Sequence, residues 1–493
     1  MYKLTVIADG ERQELAFEGE PLLDDVLERS GMRVAHPCGG RGVCGKCGVA
    51  VAGAVSPMNE AERRAGCRLS CQVRLLGDCE AALFKMREMT DISFAKGGIA
   101  GPVRGPDARY GVAADIGTTT LAVTLHERQT GACAAHAGGE NPQRAYAADV
   151  MGRIDAALKG RLETLQALII QGLRALTLEC CEAAGIAFDQ VDALCVTGNT
   201  TMLYLLTGRD PQSLARAPFA ADCLFGRWET LLDRRAYLPP CMNAFVGADI
   251  TCAALAAGLC ERDVPALLCD IGTNGEIALW DGGTLWVAST AAGPAFEGAC
   301  ISCGVSGVPG AIDRVWREGN GVRCRTLGGA PAIGLCGSGL VDAIAIFLNM
   351  GLIDESGALE GDRLALTNGI SLCQADIRSV QLAKAAISAG IEALLGSAHF
   401  SAQQVSALYL AGGFGSKINV RSAAAIGLLP FELAERTQVL GNAALAGAQM
   451  LLRDPEKIKK SERIAASARH VDLGGNPRFG ELFIENMGFK AHL

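Results

Sequence analysis

The feature that most constrains the fold is a short motif, Asp-Ile-Gly-Thr, which occurs twice in the chain. The copies occupy residues 115–118 and 270–273, so they start 155 positions apart. Each copy lies between two apolar runs, in GVAADIGTTTLAVTL and in LLCDIGTNGEIAL. This pattern predicts two hairpins, each with a bend of small polar residues between its strands. Such a bend can present backbone N–H groups and hydroxyls to phosphate, and Asp115 and Asp270 can hold Mg²⁺ through water.

A third bend comes late in the chain, where the strand-like run ALYLA leads into GGFG at residues 412–415. Two such hairpins followed by this bend resemble the superfamily of acetate and sugar kinases, Hsp70 and actin (ASKHA). The resemblance implies a duplicated, two-lobed α/β ATPase with nucleotide in the cleft between the lobes. It also implies two phosphate loops, at 115–120 and 270–276. The structural alternative is a duplicated α/β domain whose cleft binds nothing.

The same resemblance assigns individual residues to ATP. They are Gly117, Thr118, Thr119, Thr120, Gly272, Thr273, Asn274, Gly275 and Glu276 in the phosphate loops, with Gly412, Gly413, Phe414 and Gly415 near adenosine. Three further glycine-rich bends either line this cleft or are structural turns: TGNTTM at 197–202, AAGPAFEG at 291–298 and GLCGSG at 334–339.

Asp249, in VGADI at 246–250, has two interpretations. In sugar kinases of this superfamily a similar Gly-Asp element supplies the catalytic base. The resemblance therefore implies that Asp249 orients water toward the γ-phosphate, which makes Asp115, Asp249 and Asp270 the catalytic candidates. The structural alternative is that Asp249 caps the N-terminus of a helix.

The N-terminal region carries a different signal, a loop crowded with cysteine and glycine. Cys38, Cys44 and Cys47 give the spacing C-x5-C-x2-C, and a fourth thiol follows at Cys67 or Cys71 in GCRLSCQ. Four thiolates on a loop and a returning strand suit an iron–sulfur cluster, and glycine permits the positive-φ turns that wrap it. Zinc or unligated thiols are the alternatives, although zinc sites more often pair two C-x2-C units.

The cysteine spacing resembles that of [2Fe–2S] ferredoxins. The segment RLSCQ resembles the returning segment of that family, which implies that Cys71 is the fourth ligand and Cys67 its rival. An α+β β-grasp domain over residues 1–87 is predicted from its elements: strands at 2–8 and 13–18 around an Asp9-Gly10 turn, a helix at 21–31, a strand at 47–53 and one or two more at 71–84.

The rest of the domain plan follows from composition and periodicity. Residues 88–110 lose periodicity and contain prolines and glycines, which predicts a linker. The ATPase domain then occupies 111–493, with lobe one at about 111–265 and lobe two at about 266–493. Within it, helical spacing of apolar residues predicts long helices at 156–185 and at 376–398, the second beginning with Asp376 as its cap.

Composition excludes several functional classes. The formal charge of −8 argues against nucleic acid or an anionic membrane as a partner. The sequence has no apolar run of about 20 residues that would predict a membrane span. The N-terminus lacks the apolar stretch of a signal peptide, so a cytoplasmic location is expected. Most of the 20 cysteines stand singly in apolar contexts, as Cys195 and Cys269 do, which predicts buried reduced thiols. Cys300 and Cys303 are interpreted in the same way, with a metal site as the alternative.

Motifs along nearly the whole chain resemble one family, the ATP-dependent reductive activators of corrinoid proteins. They are CGGRGVCGKC, RLSCQ, DIGTTT, NPQRAYAADVMGRI, GNTTM, VGADI, DIGTNGEIAL, AAGPAFEGACISCG, GLCGSGL, DIRSVQLAKAAI, AGGFGSKI, GLLP and GNAALAGA. The resemblance implies a [2Fe–2S] cluster, ATP and Mg²⁺ as cofactors. It implies a corrinoid protein or corrinoid iron–sulfur protein as partner, an upstream electron donor, and a homodimer. The reaction implied is one-electron reduction of Co(II) to Co(I), the form that accepts methyl groups.

A one-electron carrier joined to an ATPase suggests an electron transfer that ATP makes possible. An uphill gap of roughly 0.1 V for one electron costs about 2.3 kcal/mol, which a nucleotide-driven conformational change can offset. Two alternatives remain open at the level of sequence. One is an ATP-driven electron donor to another low-potential enzyme, as the dehydratase activators of this superfamily are. The other is a redox sensor or assembly factor that binds ATP without turnover.

Overall fold

A computed structural model of the 493-residue chain defines the fold. It describes residues 1–8, 11–30, 32, 34, 40–42, 47–83, 109–367, 369–414 and 417–489. The chain forms two compact units. The first combines Met1–Glu88 with Pro142–Leu165, and the second combines Met89–Asn141 with Gln166–Leu493.

The first unit is built on a five-stranded mixed sheet of order β2-β1-β5-β3-β4. β1 pairs antiparallel with β2 and parallel with β5. Helix α1 places Leu23, Val26 and Leu27 on one face, where they join Leu4 and Val6 of β1 in a buried core. Its strands and helices before residue 88 are β1 Tyr2–Ala8, β2 Glu11–Phe17, α1 Leu23–Arg29, β3 Gly48–Val55, α2 Glu60–Ala65, β4 Arg68–Leu69 and β5 Leu75–Leu83.

This sheet with one packed helix is the β-grasp arrangement that the sequence predicts. The predicted Asp9-Gly10 turn lies outside the described residues. The prediction misses α2, which begins with a capping box: Asn59 accepts from the backbone of Glu62, whose carboxylate accepts from the Asn59 backbone.

The helix expected over 156–185 is interrupted, and this part of the prediction is wrong. Two helices, α3 Val150–Ala156 and α4 Leu162–Ala184, flank a wide turn at Ala157–Arg161. Gly160 has a φ of 86° in this turn, outside the helical region. Glycine adopts that conformation without a steric cost. The apolar periodicity of the sequence therefore continues across a point where the helical backbone is interrupted.

The second unit contains two six-stranded sheets. The first has the order β10-β11-β9-β6-β7-β8, and three helices follow its strands in the chain. Its elements are β6 Tyr110–Ile116, β7 Thr120–Glu127, β8 Cys133–Glu140, β9 Val191–Gly198, α5 Thr200–Leu206, α6 Gln212–Ala215, β10 Arg227–Leu231, β11 Arg234–Leu238 and α7 Ala248–Ala256.

The second sheet has the order β21-β20-β12-β13-β14-β22. Two small sheets, β16-β15-β17 and β18-β19, come between β14 and β20 in the chain. The elements are β12 Ala266–Ile271, β13 Gly275–Trp280, β14 Leu285–Thr290, β15 Ala311–Glu318, β16 Gly321–Thr326, β17 Gly334–Leu335, α8 Gly337–Asn349, β18 Arg363–Thr367, β19 Ile370–Cys373, α9 Gln374–Ser397, β20 Ala407–Ala411, α10 Val420–Ala425, β21 Thr437–Gly441, α11 Ala443–Arg453, α12 Pro455–Ala466, β22 Ala468–His470 and α13 Pro477–Glu485.

The two large sheets repeat one plan. In the first, the antiparallel hairpin β6–β7 continues into β8, and β9 and β11 add in parallel beside β6. In the second, β12–β13 continues into β14, and β20 and β21 add in parallel beside β12. Each Asp-Ile-Gly-Thr copy lies at the bend of the leading hairpin. The duplication expected from the ASKHA resemblance is therefore confirmed.

A shared core joins the two halves of this unit. Residues of β6, β9, β12, β13 and β20 pack around helices α7 and α11, with Ala113, Ala254, Leu268 and Leu445 fully buried. Since α11 contacts β6 and β9 as well as α7, the two sheets share one apolar layer. None of the described helices combines the length and the apolar run that a membrane span requires.

One predicted helix start is corrected by the structure. Helix α9 begins at Gln374 with Cys373 as its N-cap, so Asp376 is not the cap. Asp376 instead lies in the first turn, where its carboxylate accepts from the Cys373 backbone at 2.9 Å and from the Ser302 hydroxyl at 2.7 Å. The aspartate thereby fixes the loop that contains Ser302 to the start of α9.

Candidate functional site

The two hairpin bends and the late glycine-rich bend meet at one cleft of about 230 Å³ in the second unit. The first hairpin loop is residues 117–119, between β6 and β7, and the second is 272–274, between β12 and β13. The predicted residues that line the cleft are Asp115, Gly117, Thr118, Thr119, Thr120, Asp249, Asp270, Gly272, Thr273, Asn274, Glu276, Gly412, Gly413 and Phe414. Gly275 pairs within the sheet instead, and Gly415 lies outside the described residues.

Gly412, the first residue of the glycine-rich bend, packs closely against the second hairpin. Gly412 has a φ of 91°, and a Cβ built on it would lie 2.5 Å from Asp270 Oδ1 and 2.7 Å from the Ile271 carbonyl oxygen. Glycine alone fits both the conformation and the space. Phe414 follows and stacks on Phe296, with ring centroids 4.9 Å apart and an interplanar angle of 7°. The three other glycine-rich bends also reach the cleft, through Asn199, Phe296 and Ser338 among others.

Three asparagines hold the first hairpin. Asn141 donates to the Gly117 carbonyl oxygen at 2.8 Å, Asn199 donates to the Thr118 hydroxyl at 3.1 Å, and Asn442 donates to Asp115 Oδ2 at 2.8 Å. Reasoning from sequence missed Asn141 and Asn442. The available signal was position, since each follows a strand of one of the two sheets. Asn442 also caps α11, so this helix start and the Asp115 carboxylate are fixed together.

Four carboxylates face one another across the cleft, and burial is the main influence on each. Burial raises the pKa of Asp115 to about 6, partly opposed by the hydrogen bond from Asn442. Burial and the neighbouring carboxylates raise the pKa of Asp270 to about 7 and that of Asp249 to about 8. Burial and the neighbouring carboxylates also raise the pKa of Glu276 well above its ordinary value. Without a cation these groups therefore retain protons that a bound cation would release.

Asp249 is not a helix cap. The N-cap of α7 is Gly247, and Asp249 lies in the first turn, where its Oδ1 accepts a hydrogen bond from the Ile250 backbone at 2.9 Å. Its side chain lines the cleft. The structural alternative is therefore wrong in its geometry, and the position fits a group that acts inside the cleft.

The donor set fits a hydrated Mg²⁺. Within the described residues, no group of three or more His, Cys, Asp or Glu side chains converges closely enough to hold a metal ion directly. Mg²⁺ keeps several waters and takes few carboxylates beside substrate phosphates. Aspartates that repel one another at the cleft wall suit that arrangement, since a hydrated cation would offset their charge.

The acidic lining has one further member that sequence reasoning did not single out, Glu297. It ends the short 3-10 turn Pro294–Glu297. Its carboxylate accepts from the Thr119 hydroxyl at 2.6 Å and from the Thr273 hydroxyl at 2.9 and 3.0 Å. A single side chain therefore joins the two hairpin loops, although 178 and 24 residues separate it from these partners.

A second candidate site lies in the first unit, where two of the predicted cluster ligands meet. Cys47 Sγ lies 3.4 Å from Cys71 Sγ, and both thiols are buried. The distance is too long for a disulfide, which requires about 2.05 Å. It is close to the roughly 3.7 Å that separates two thiolates of a tetrahedral metal with metal–sulfur bonds of about 2.3 Å. The pair therefore fits two ligands of one metal ion.

Gln72 completes the described surroundings of these thiols. Its Nε2 donates to the Gly40 carbonyl oxygen at 2.7 Å and lies 3.5 Å from Cys71 Sγ. Gly40 and Gly42 have φ values of 76° and 71°, as the glycine pattern predicts. Cys38 and Cys44 lie outside the described residues. Cys67 is half-buried and packs against the Cys47–Cys71 pair, and burial raises its pKa.

The remaining cysteines divide between two outcomes. Cys195 and Cys269 are fully buried and free, as predicted. Cys300 is exposed and Cys303 half-buried, so the prediction of two buried thiols at this C-x2-C pair is wrong. The pair lies in the turn before β15, where solvent reaches the first thiol.

Comparisons with known families divide the chain into three parts. Residues 6–76 match the 2Fe-2S iron-sulfur cluster binding domain. Residues 110–262 match the family described as the RACo middle region, and residues 265–492 match the C-terminal domain of RACo, the ASKHA domain.

A curated relative decides the family. The corrinoid activation enzyme RamQ of Eubacterium limosum is 33% identical over 420 residues, which cover 77% of this chain and 70% of that protein. The chain belongs to the family of reductive activators of corrinoid proteins. It is therefore an enzyme with an N-terminal ferredoxin-type domain and an ASKHA-type fold, as the sequence resemblance implied.

Two other members of this activator family resemble the chain over most of its length. The [Co(II) methylated amine-specific corrinoid protein] reductase of Methanosarcina barkeri is 26% identical over 425 residues, covering 77% of each chain. A solved structure titled reductive activator for corrinoid,iron-sulfur protein superposes with a TM-score of 0.73 at 25% identity. It covers 99% of this chain and 98% of that one.

Proposed function

We propose that this activator uses Mg²⁺–ATP to drive the reduction of a partner corrinoid protein by one electron, from Co(II) to Co(I). One observation carries the proposal. A chain of the corrinoid activator family brings two loops suited to phosphate, and acidic groups suited to Mg²⁺, into one cleft. The same chain has two buried thiols at the distance that separates two ligands of one metal ion.

The redox half of the proposal rests on four thiols. Cys38, Cys44, Cys47 and Cys71 hold a [2Fe–2S] cluster, which when bound accepts one electron from an upstream donor and releases it to the cobalt of the partner. The Cys47–Cys71 distance supports Cys71 as the fourth ligand, and Gln72 fixes the Gly40 end of the loop relative to Cys71. Cys67 packs beside the pair and is the rival ligand.

The nucleotide half of the proposal assigns a role to each group of residues in the cleft. Backbone and hydroxyl groups of the two hairpin loops bind the phosphates, and the bend at 412–415 borders adenosine. Asp115 and Asp270 orient Mg²⁺ through water. Mg²⁺ would supply positive charge that lowers the raised pKa of Asp249, which is about 8 without it. Asp249 would then be a carboxylate that can orient the attacking water.

ATP binding and hydrolysis are coupled to electron transfer through free energy. A one-electron step that is uphill by roughly 0.1 V needs about 2.3 kcal/mol. ATP can supply this amount if its binding and hydrolysis favour the state of the partner in which cobalt is more easily reduced. The relatives named above act on corrinoid proteins, which supports that class of partner for this chain.

The test is an anaerobic reconstitution. The purified chain is loaded with iron and sulfide, the iron per chain is counted, and the protein is mixed with a reductant and a candidate corrinoid protein. Absorbance of Co(I) is then followed with ATP, with ADP and without nucleotide. We expect two irons per chain. Co(I) should form in the reaction with ATP and not in those with ADP or without nucleotide.

Three outcomes contradict the proposal in different ways. Zinc in place of iron removes the redox half, and Co(I) formation that ignores nucleotide removes the coupling. Reduction of a dehydratase-type enzyme, with no effect on any corrinoid protein, identifies the chain instead as an electron donor to another low-potential enzyme.

A further inference from the structure

Glu297 occupies a position that the proposed nucleotide chemistry leaves unexplained. Its carboxylate accepts hydrogen bonds from the hydroxyl of Thr119 in the first hairpin loop and from that of Thr273 in the second. Each loop joins the first two strands of one of the two large sheets. A hydroxyl has one proton to donate, so neither threonine can donate to a phosphate oxygen while it donates to Glu297.

The carboxylate is held in place by the segment around it. Pro294 starts its turn, and Gly298 ends the turn in the left-handed conformation with a φ of 77°. Phe296 is fully buried and stacks on Phe414. The Gly293 backbone N–H donates to the Thr273 carbonyl oxygen at 3.0 Å. The turn is therefore bound to the second loop through backbone as well as through the carboxylate, whereas the contact with Thr119 reaches across to the other sheet.

Charge in the cleft points the same way. Among the described residues that line it, five are acidic and one, Lys417, is basic. A nucleotide brings several negative charges to the two loops. A fifth carboxylate that hydrogen-bonds those loops competes with phosphate for the same donors and repels it. Hydrogen bonds to a carboxylate are also roughly twice as strong as those to a neutral acceptor.

We propose that Glu297 is a positioning residue that takes the place of phosphate when no nucleotide is bound. It bridges the two hairpin loops through Thr119 and Thr273, and nucleotide phosphate displaces it when ATP binds. Breaking the bridge to Thr119 then couples nucleotide binding to the relative position of the two loops. This inference rests on the proposed binding of nucleotide and adds a residue that sets its affinity.

The experiment measures affinity directly. Mg²⁺–ATP and Mg²⁺–ADP are titrated by calorimetry into the wild-type chain, Glu297→Gln and Glu297→Asp. The amide keeps the size and loses the charge, so we expect Glu297→Gln to bind both nucleotides about tenfold more tightly. The aspartate is shorter by about 1.5 Å and cannot reach both loops, so we expect about threefold tighter binding. Glu360→Gln, at an exposed position, is the control and should bind as wild type does.

Amide hydrogen exchange supplies a second reading. In the empty protein, Glu297→Gln should exchange faster than wild type at residues 117–120 and 272–275, and Mg²⁺–ADP should abolish the difference. A purely structural role for Glu297 predicts the opposite result in calorimetry, weaker binding in proportion to lost stability.

The outcomes separate this inference from the proposed function. If wild type binds nucleotide and both Glu297 variants bind it equally or more weakly, the inference is wrong and the proposed function stands. If wild type binds no nucleotide while the chain carries its cluster, the proposed function fails and the inference fails with it.

Discussion

Gln72 is the residue through which the protein can adjust the chemistry of the sulfur site. Its amide nitrogen lies 3.5 Å from Cys71 Sγ, and its Oε1 accepts from Asn59 at 3.1 Å, which fixes the orientation of the amide. The two N–H groups of this amide donate to the Gly40 and Cys71 carbonyl oxygens at 2.7 and 3.0 Å, so the positive end of the amide dipole lies beside the ligand sulfur. A positive dipole end at this position stabilises the negative charge that reduction adds.

Replacing this amide therefore shifts the reduction potential. We expect Gln72→Leu to lower the potential of the reconstituted site by roughly 40 mV, the equivalent of about 1 kcal/mol for one electron. A redox titration followed by electron paramagnetic resonance measures the shift, with iron content determined in parallel. Gln13→Leu, at an exposed position on β2, is the matched control. An unchanged or higher potential in Gln72→Leu contradicts the role.

Asp249 makes a prediction about pH. Its pKa in the empty cleft is about 8, against an ordinary value of 3.8. Between these values the folded protein retains a proton that the unfolded chain has lost, so the free energy of unfolding falls as pH rises from about 4 to about 8. Asp270 and Asp115 act in the same direction over narrower windows, which end at about 7 and about 6.

We expect Asp249→Asn to flatten this pH dependence. At pH 8, without Mg²⁺ or nucleotide, the variant should be more stable than wild type by on the order of 2 kcal/mol, and ATP hydrolysis should be lost. Urea unfolding at pH 5 and pH 8 in the presence of a chelator is the measurement. Asp362→Asn, at an exposed position, should unfold as wild type does. Equal stability of Asp249→Asn and wild type at pH 8 would mean that the carboxyl group is not destabilised in the cleft.

At the scale of elements, the glycine-rich bend after β20 tests whether the cleft depends on close packing. A side chain at Gly412 would collide with Asp270 Oδ1 and force a residue into a φ near 91°. Gly413, the next residue, has open space where its Cβ would lie. The two neighbours therefore differ in what a substitution should do.

We expect Gly412→Val to lose on the order of 1–3 kcal/mol of stability, the range for a strained backbone, and to lose nucleotide binding. Gly413→Ala should change the free energy of unfolding by less than about 0.5 kcal/mol. Denaturant unfolding of both variants, together with nucleotide calorimetry for Gly412→Val, decides the matter. A change in Gly412→Val as small as that in Gly413→Ala, with nucleotide binding retained, would show that the bend tolerates side chains as an ordinary turn does.

Elements that carry a local signature were predictable from the sequence. Apolar runs on both sides of a polar bend indicate hairpins β6–β7 and β12–β13, and Pro21 near its start and Gly31 past its end indicate α1. Positions decided by tertiary contact were not. The interruption at Gly160 is hidden inside a continuous apolar period, and Asp376 resembles a cap although its partners include Ser302, 74 residues away.

The same division explains the candidate site. The loops that present N–H groups and hydroxyls were found because glycine, threonine and aspartate in sequence have a recognisable chemistry. Glu297 and Asn442 were not found, since their roles depend on partners 178 and 327 residues away. Only the duplicated sheets, which bring both hairpin bends to one cleft, make those contacts possible.

At the scale of the whole molecule, the proposed function requires two sites with separate chemistry and a joint product. The thiol pair belongs to the first compact unit and the cleft to the second. Loss of a sulfur ligand should therefore leave the cleft intact, and loss of the cleft should leave the iron in place. Only the transfer of an electron to a corrinoid protein requires both.

Three variants measure this separation. Cys71→Ala should lose the iron and retain the wild-type affinity for Mg²⁺–ATP, while Cys67→Ala should retain both, since Cys71 rather than Cys67 lies 3.4 Å from Cys47. Gly412→Val should retain two irons per chain and lose nucleotide binding. Formation of Co(I) in a corrinoid partner should fall by at least about tenfold in Cys71→Ala and in Gly412→Val, a factor equal to about 1.4 kcal/mol, and stay at the wild-type rate in Cys67→Ala.

Loss of iron in Cys67→Ala with retention in Cys71→Ala would show that Cys67, and not Cys71, is the fourth ligand. Full activity in Gly412→Val would mean that electron transfer proceeds without the nucleotide cleft, and the coupling that joins the two units in one function would be absent.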